Sequence, residues 1–278
     1  MTPERQAIVS DDFLHEREAS FHDAWASSTP LDKVLIEECF EAPTAMENRF
    51  IFRKMGDLRG KRVLDIGAGL GESSIYFAMK GAVVTTVDIS PAMIEKIHEL
   101  AQKHAVKIEG LVSTAESLNV TENQYDIVYV ANTIHHVHDR SGLFAQIHRA
   151  LKPAGVFFSI DPLAYNPVIN LYRKMATEVR TPDEAPLTRA DLRLAGDYFE
   201  EVGHREFWIA SLLLFIKYYL VDRVHPNQDR YWKRILRERE GSLWWWWPLR
   251  WLDGVLTRIP GVCWMSWNIV IWGRKPEN

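Results

Sequence analysis

A glycine-rich turn directly after a short apolar run constrains this chain more than any other feature of its sequence. Residues 61–66 are rich in branched apolar side chains, which predicts a strand, and Gly67, Gly69 and Gly71 follow it at alternate positions. Because glycine has no Cβ, such a turn lets a ligand approach the backbone closely. The carboxyl ends of parallel strands are where α/β sheets bind ligands, so the turn marks a candidate binding site.

Strand and helix patterns alternate along the first part of the chain. After the first strand, four further strands are predicted at 82–87, 106–113, 125–131 and 156–160. Helices are predicted at 72–80, 90–104 and 143–151, and residues 152–155 are expected to break the last of these. Ser90 and Pro91 suit the N-cap and the first turn of the second helix. This alternation predicts βαβ units, and hence a parallel sheet with helices on both faces.

Beyond residue 161 the alternation weakens. The pattern predicts a helix at 187–202 with Thr188 as its cap, a sixth strand at 206–214 and a last strand at 268–272. We therefore expect four parts: an N-terminal helical cap (1–59), an α/β core (60–215), a tryptophan-rich helical insertion (216–262) and a final strand of the core sheet (263–278).

The spacing of the glycines discriminates between nucleotide cofactors. The dinucleotide fingerprint is G-x-G-x-x-G, whereas this chain has G-x-G-x-G, and Glu72 stands where the third fingerprint glycine would be. A carboxylate there would repel a pyrophosphate, so an NAD-dependent enzyme is disfavoured, whereas a cofactor with a cationic sulfonium would tolerate it. Asp88 ends the second strand, 23 residues after Asp65, and its two oxygens can accept both hydroxyls of a ribose.

Most of residues 45–161 resembles the class I S-adenosylmethionine (SAM) dependent methyltransferases. The similar runs are 65–72, 87–90, 124–139 and 149–156, in the family's order. The subgroup most similar contains quinone-biosynthesis and small-molecule methyltransferases. The resemblance implies SAM as cofactor and a doubly wound, mostly parallel α/β sheet of seven strands, Rossmann-like, with the last strand antiparallel.

The resemblance also implies which residues bind the cofactor. We expect contacts from Asp65, Gly67, Ala68, Gly69, Gly71, Asp88, Ile89, Thr114, Ala115, Glu116, Ala131 and Asn132. Trp25 joins them, because residues 21–26 resemble the aromatic segment that covers SAM in that subgroup. Thr114 departs from the family, which often has Asp there to bind the adenine amino group. The adenine contact is then expected from the Thr114 hydroxyl, the Ala115 backbone N–H or Glu116.

The candidates for catalysis are His135 and His136, just after the fourth strand. An imidazole is a suitable base at neutral pH for an acidic acceptor, although placement of the two reactants can be sufficient without a base. In the resembled family the second histidine often has a packing role. His135 and His138 have spacing for a metal, but no carboxylate or cysteine cluster completes a set, so we expect no metal. Asp161, after the fifth strand, is either an acceptor contact or an ordinary strand-end carboxylate.

Tryptophan is concentrated near the C-terminus: eight of the 11 tryptophans lie from Trp244 to Trp272. Segment 217–258 holds nine basic and five acidic residues, a net charge of +4 against −8 for the rest of the chain. Tryptophan beside basic residues is typical of an interfacial membrane contact. The alternatives are a pocket lid with a small core of its own, or a homodimer interface. The consecutive tryptophans 244–247 cannot all face inward on a helix or a strand.

Charge and composition exclude several classes of protein. The net charge of −4 argues against a nucleic-acid binder, and two cysteines cannot form a disulfide framework or a four-cysteine zinc site. The first 18 residues contain no apolar region typical of a secretory signal. The longest uncharged stretch near the C-terminus, 259–273, has 15 residues, short of the ~20 that a spanning helix needs. We expect a cytoplasmic protein, at most peripheral on a membrane.

The resemblance implies SAM-dependent methyl transfer, and the tryptophan-rich insertion favours a small, lipophilic acceptor. Two alternatives remain: a catalytically inactive SAM-binding partner protein, and a methyltransferase for a soluble small molecule in which the insertion is a lid or dimer interface. The acceptor atom, oxygen, nitrogen or carbon, is left open.

Overall fold

Seven strands form one sheet at the centre of the molecule. The computed structural model describes residues 11–182, 184–238 and 240–277. The strands are β1 (Arg62–Ile66), β2 (Val83–Asp88), β3 (Ile108–Val112), β4 (Tyr125–Ala131), β5 (Leu151–Pro162), β6 (Glu200–Phe207) and β7 (Asn268–Arg274). Their order is β3-β2-β1-β4-β5-β7-β6, and β7 runs antiparallel to both of its neighbours. The predicted seven-stranded, mostly parallel sheet with an antiparallel last strand is therefore confirmed.

Helices cover both faces of this sheet. They are α1 (Asp11–Ser28), α2 (Glu38–Glu41), α3 (Met46–Met55), α4 (Glu72–Met79), α5 (Pro91–Lys103), α6 (Arg140–Ala150), α7 (Pro167–Met175), α8 (Arg189–Tyr198), α9 (Leu213–Leu220), α10 (Tyr231–Arg234) and α11 (Trp246–Leu256). Short 3₁₀ turns lie at Leu31–Lys33, Ile134–His136, Ala210–Leu212, Ile235–Arg237, Glu240–Leu243 and Val262–Met265.

Alternate residues of the central strand β4 enter the two cores. Tyr129 packs edge-on against Phe77 in one core, while Val128 lies with Phe144 in the other. Successive side chains of a strand point to opposite faces, so a strand buried on both faces is apolar along its whole length. This explains why 127–131 is a continuous apolar run in the sequence.

The caps predicted for two helices are present. The Ser90 hydroxyl accepts a hydrogen bond from the backbone N–H of Met93 (3.0 Å), and Pro91 opens α5. Thr188 caps α8 in a capping box with Asp191. However, α8 ends at Tyr198 instead of 202, because the chain from Glu200 onward pairs with β7.

The prediction of a sixth strand at 206–214 is wrong. β6 ends at Phe207, and the next residue, Trp208, has a φ of +70°. The apolar run that follows forms a 3₁₀ turn and then α9. The carboxylate of the buried Asp253 on α11 accepts hydrogen bonds from the backbone N–H groups of Ile209, Ala210 and Ser211 (3.2, 2.6 and 3.3 Å), which satisfies the free N–H groups at the start of this helical segment.

The expected break at 152–155 is also wrong in part, because β5 already begins at Leu151. The irregularity takes the form of a bulge: the register between β4 and β5 shifts between Tyr125 and Ile127, and Ala154 has a φ of +59°.

The tryptophan-rich segment 216–262 carries helices and turns, and no strand in its described residues, as the sequence predicts. Of the consecutive tryptophans, Trp246 is fully buried, whereas the side chain of Trp244 is 78% exposed. Within the described part of the chain, no helix has the length and apolar character needed to cross a membrane. The division of the chain into four parts stays a prediction.

Candidate active site

The glycine turn after β1 has one tightly packed residue and one open one. Gly67 has a φ of +68°, and a Cβ on it would lie 2.0 Å from the hydroxyl oxygen of Thr133. Gly69 has a φ of +55°, but a Cβ there would meet no atom within 4 Å. Gly67 is therefore required by packing, whereas the backbone at Gly69 is open to a ligand.

Gly71 has a different role from the other two glycines. It is the left-handed residue that precedes α4, and a Cβ there would lie 2.5 Å from Cγ1 of Ile97 on α5. It serves the close packing of α4 against α5, and it does not line the cavities described below.

Asp88 at the end of β2 braces this turn. Its Oδ2 accepts a hydrogen bond from the Gly69 N–H (2.8 Å), and its Oδ1 accepts one from the Ser90 N–H (3.0 Å). The side chain is buried, which raises its pKa, against the opposing effect of His22 and these hydrogen bonds. Each carboxylate oxygen has a second lone pair, so Asp88 can still accept hydrogen bonds from a ligand.

Two adjoining cavities meet at the turn. The small cavity, about 100 Å³, and the large cavity, about 240 Å³, share five lining residues: His22, Gly67, Gly69, Asn132 and His136. The small cavity holds most of the predicted cofactor residues: Gly67, Gly69, Asp88, Ile89, Thr114, Ala115, Glu116 and Asn132. Trp25, Asp65, Ala68, Ala131 and His135 line the large cavity. Apart from Gly71, the structure thus gathers every predicted site residue around one pair of cavities.

Asp65 and Trp25, which both line the large cavity, are fixed in place by different contacts. The buried Asp65 carboxylate accepts hydrogen bonds from the hydroxyls of Ser73 and Ser74 at the start of α4 (2.6 and 2.5 Å). Burial raises the pKa of Asp65 to about 6, and the two serines oppose that rise. Trp25 packs edge-on against Trp232 of the insertion, with 5.6 Å between the ring centroids.

Helix α1 supplies a wall that the sequence analysis only partly identified. Glu18 Oε1 lies 2.9 Å from Nε2 of His22 and 3.0 Å from Nδ1 of His136, at the small cavity. Burial alone would raise the pKa of Glu18, but its contacts with these two imidazoles hold that pKa far below the usual value. Asp23 anchors the same helix by accepting a hydrogen bond from the Ser90 hydroxyl (2.5 Å). Nothing local in the sequence links α1 to residues about seventy or more positions away.

His135 forms a buried pair with Asp161 at the end of β5. Its Nδ1 lies 2.7 Å from Asp161 Oδ1, and its backbone N–H donates to the same oxygen. Burial raises the pKa of Asp161 to about 8 and holds the pKa of His135 well below its ordinary value. The two groups therefore hold a proton between Nδ1 and Oδ1, while His135 lines the large cavity and its Nε2 lies 3.9 Å from Glu184.

His135, His136 and Glu184 also form a cluster with the composition of a metal site. Their ligand atoms lie within 4.8 Å of one another. Glu184, however, is ion-paired with Arg180, and the charges of Arg173 and Arg180 both act on His135. Nearby guanidinium groups repel a cation, so the local electrostatics do not favour a metal here.

The tryptophan-rich insertion contacts the start of α4, directly after the glycine turn, and helix α1. Lys233 forms an ion pair with Glu72, and the guanidinium of Arg230 lies 4.3 Å from the centroid of the Trp25 ring. The charge of Glu72 is therefore compensated within the protein, which weakens the argument that it repels a pyrophosphate. Arg230 and Lys233 carry no local signal for this site in the sequence, because Lys233 lies 161 positions after Glu72.

Comparison with known proteins assigns the central part of the chain. Residues 64–159 match the family model described as a methyltransferase domain. The ubiquinone biosynthesis O-methyltransferase of Pseudomonas syringae pv. tomato is 38% identical over 116 residues, which are 39% of this chain and 49% of that protein. The enzyme of the same description from Pseudomonas putida strain GB-1 is 37% identical over 115 residues, again 39% of this chain and 49% of the relative. The chain thus spans about half the length of these relatives.

Solved structures share the fold. Haemonchus contortus phosphoethanolamine N-methyltransferase 2, in complex with S-adenosyl-L-methionine, superposes with a TM-score of 0.61 at 19% identity, over 98% of this chain and 61% of that one. The YcgJ protein from Bacillus subtilis superposes with a TM-score of 0.54 at 18% identity, over 84% of this chain and all of that one. Together with the glycine turn and the order of the strands, these matches show that residues 64–159 form a methyltransferase domain with the fold of the class I S-adenosylmethionine-dependent methyltransferases.

Proposed function

We propose that this protein transfers a methyl group from SAM to a small, lipophilic acceptor. The observation that carries the proposal is the meeting of the two cavities at the glycine turn, with the predicted cofactor residues around one and aromatic side chains around the other. Both Pseudomonas relatives are named as O-methyltransferases of ubiquinone biosynthesis, which supports an acceptor of this class.

The residues present fit SAM. Asp88 retains lone pairs for the ribose hydroxyls, and the open side of Gly69 allows close approach to the backbone. Thr114, Ala115 and Glu116 line the same cavity, where the adenine contact is expected. When bound, SAM supplies a methyl group made electrophilic by its sulfonium. The glycine turn, Asp88 and the 114–116 segment would hold it.

The large cavity suits a lipophilic acceptor. Its wall contains six aromatic side chains besides Trp25 and the histidines: Phe21, Phe40, Tyr129, Tyr172, Trp232 and Trp267. Such cavities bind small molecules through apolar area and use a few polar groups to orient them.

His135 is the base that we propose for an acceptor with a hydroxyl group. Its Nδ1 is held by Asp161, so Nε2 is the nitrogen left to take a proton. Nε2 would take the hydroxyl proton of the acceptor, and SAM, when bound, would supply the methyl group to the acceptor oxygen. Asp161 is the positioning residue, because it holds the ring and stabilises the imidazolium. His136 is tied to Glu18 through Nδ1, so its role is to close the wall between the cavities.

Mass spectrometry can test the proposed function. Lipid and small-molecule extracts incubated with the protein and methyl-labelled SAM should yield a labelled, organic-soluble product. A variant with His135→Gln should bind S-adenosylhomocysteine normally but form far less product. Normal cofactor binding with no labelled product from any extract would favour the inactive, SAM-binding partner protein instead.

We also propose that the insertion lies on an anionic membrane surface. Leu213, Ile216 and Leu220 are exposed along one face of α9, and Trp247, Trp251 and Val255 are exposed along one face of α11. The Asp253 contacts described above join the two helices, so these faces belong to neighbouring elements. The net charge of +4 in segment 217–258 favours anionic lipid, at up to ~1 kcal/mol for each basic residue near the surface.

A further inference from the structure

Three arginines line one part of the large cavity. Arg173 lies on α7, Arg180 follows that helix, and Arg230 immediately precedes α10. Tyr172, next to Arg173, is buried, and the charges of both Arg180 and Arg230 act on its hydroxyl. The charge of Arg180 acts on Arg173 in turn. The three arginines are therefore close enough to Tyr172 and Arg173 for their charges to interact in this part of the cavity wall.

Arg173 has donors that the protein does not use. Its Nη1 donates to the Asn170 side chain (2.9 Å) and to the Leu163 carbonyl (3.3 Å). Its Nε and Nη2 are buried and have no hydrogen-bond partner among the described residues. Arg230 shows the same feature, since its Nε is buried without such a partner while its guanidinium lies over the ring of Trp25.

The positive charge of this wall is not balanced by the described residues. Arg180 is paired with Glu184, but none of the described carboxylates lies within ion-pair distance of Arg173 or Arg230. Burial lowers the pKa of Arg173 to about 9, and the charge of Arg180 contributes to that shift. A buried cation with unused donors is costly, and proteins normally pair such a group.

A ligand oxyanion would supply the missing partner. The planar guanidinium presents adjacent N–H groups that match the two oxygens of a carboxylate or phosphate. Ile169 and Val179 line the same cavity and bring no polar side-chain group that could compete for these donors.

We propose that Arg173, with charge added by Arg180 and Arg230, binds a carboxylate or phosphate group of the acceptor. The proposal rests on the function proposed above, because the anion is part of the molecule that receives the methyl group. The acceptor is then an amphipathic molecule, with an anionic end at Arg173 and a lipophilic body among the aromatic side chains. Arg173 and Arg180 lie near His135. By binding the anionic end of the acceptor they would orient its hydroxyl group and favour anionic over neutral acceptors.

Binding of three matched probes tests this subsite. Benzoate, phenyl phosphate and the neutral methyl benzoate are titrated calorimetrically into the full chain saturated with S-adenosylhomocysteine. At least one anion should bind to the wild type more tightly than the ester does. Arg173→Gln should lower the binding affinity for that anion roughly tenfold to a hundredfold, which corresponds to the loss of a charged hydrogen bond. The affinity for the ester should not change. The anion that binds more tightly identifies the group as carboxylate or phosphate.

The control variant is Lys174→Gln, which removes one positive charge from the exposed next residue of α7 and should not change any affinity. Equal binding of the ester and the anions to the wild type would overturn the proposal, as would anion binding that does not depend on Arg173. If Arg173→Gln does not fold, Arg173→Lys and Arg230→Gln replace it. Each should lower the affinity for the anion without changing the affinity for the ester.

The two proposals can fail separately. Absence of methylated product, with anion binding that still depends on Arg173, would contradict the proposed function and leave the subsite standing. Methylation of a neutral acceptor at a rate that Arg173→Gln does not change would overturn the subsite and leave the methyltransferase standing.

Discussion

At the scale of single residues, Asp88 has two duties: it braces the glycine turn and it faces the small cavity. We predict that Asp88→Ala weakens binding of SAM or S-adenosylhomocysteine by about 1–3 kcal/mol, the range for loss of a charged hydrogen bond. Isothermal titration calorimetry measures the change.

The matched control for Asp88 is Asp139→Ala. Asp139 also accepts a hydrogen bond from a backbone N–H, that of Gly142 (2.8 Å), but it caps α6 and does not line the small cavity. This variant should lose stability and keep its cofactor affinity. An unchanged affinity in Asp88→Ala would contradict the ribose assignment.

A second prediction at this scale concerns His135 and Asp161. Because the pKa of Asp161 is raised to about 8, the pair holds an additional proton below that pH, and Nε2 of His135 cannot act as base. The rate of methyl transfer to a hydroxyl acceptor should therefore rise as the pH passes upward through about 8. The charged or titratable groups that act on the pair are His136, Arg140 and Asp191 at Asp161, and also Arg173 and Arg180 at His135.

The measurement is kcat/KM for the acceptor between about pH 6 and pH 9.5. Asp161→Asn should lower the rate and remove the limb near pH 8, because the proton on the pair is lost with the carboxyl group. The same pH profile in wild type and Asp161→Asn would assign the limb to ionisation of the acceptor instead, and would rule out the proposed base.

At the scale of elements, Asp253 joins the two parts of the tryptophan-rich region. Three backbone N–H groups at the start of the α9 segment donate to one of its oxygens, and Ser211 donates its hydroxyl to the other. We predict that Asp253→Ala lowers the free energy of unfolding by roughly 2–4 kcal/mol, because it leaves buried donors without partners. Thermal and urea denaturation followed by tryptophan fluorescence measure this.

Asp57→Ala is the comparison for Asp253. Asp57 likewise accepts a backbone hydrogen bond, from the Arg59 N–H (3.1 Å), and pairs with the Arg59 guanidinium, but it is exposed, and exposed ion pairs contribute little. Its loss should change the unfolding transition very little. Equal effects of the two substitutions would show that Asp253 is not the cap on which α9 depends.

At the scale of the whole molecule, the positive charge of segment 217–258 and the exposed tryptophans predict that the protein binds to an anionic membrane surface. Wild-type protein should float with vesicles that contain anionic phosphatidylglycerol and should float less at high salt, because screening weakens the attraction of the basic residues. The double substitution Trp244→Ser and Trp251→Ser removes the two most exposed indoles, 78% and 73% exposed, and should abolish flotation.

Val112→Ser is the matched control for flotation, since Val112 is exposed on β3 at the opposite edge of the sheet from β6. It should float as the wild type does. If the wild type does not float, sedimentation equilibrium separates the remaining alternatives: a dimer places the tryptophans in an interface, and a monomer leaves them as part of a lid.

The sequence alone was sufficient wherever the determining contacts are local. The alternation of β-branched runs with helical patterns predicted the first four strands closely, and 125–131 to the residue, whereas the fifth strand was located but begins five residues earlier than predicted. Gly67 and Gly69 were identified because glycines at alternate positions directly after a predicted strand are a local pattern, and both have a positive φ in the structure. Ser90 and Thr188 were identified as caps for the same reason, since a cap bonds to a backbone two or three residues away.

Only the tertiary structure decided the rest, because the determining partners lie far apart in the chain. The run after Phe207 has the apolar character of a strand, yet it becomes helical where Asp253, more than forty residues later, accepts its first N–H groups. Arg173 and Arg230 have no distinguishing signal in the sequence, and they become half-buried cations, with buried N–H groups that no described residue accepts from, only when α7 and the insertion meet at the large cavity. Periodicity and spacing report on neighbours along the chain, whereas the charge and shape of the acceptor side depend on which distant segments pack together.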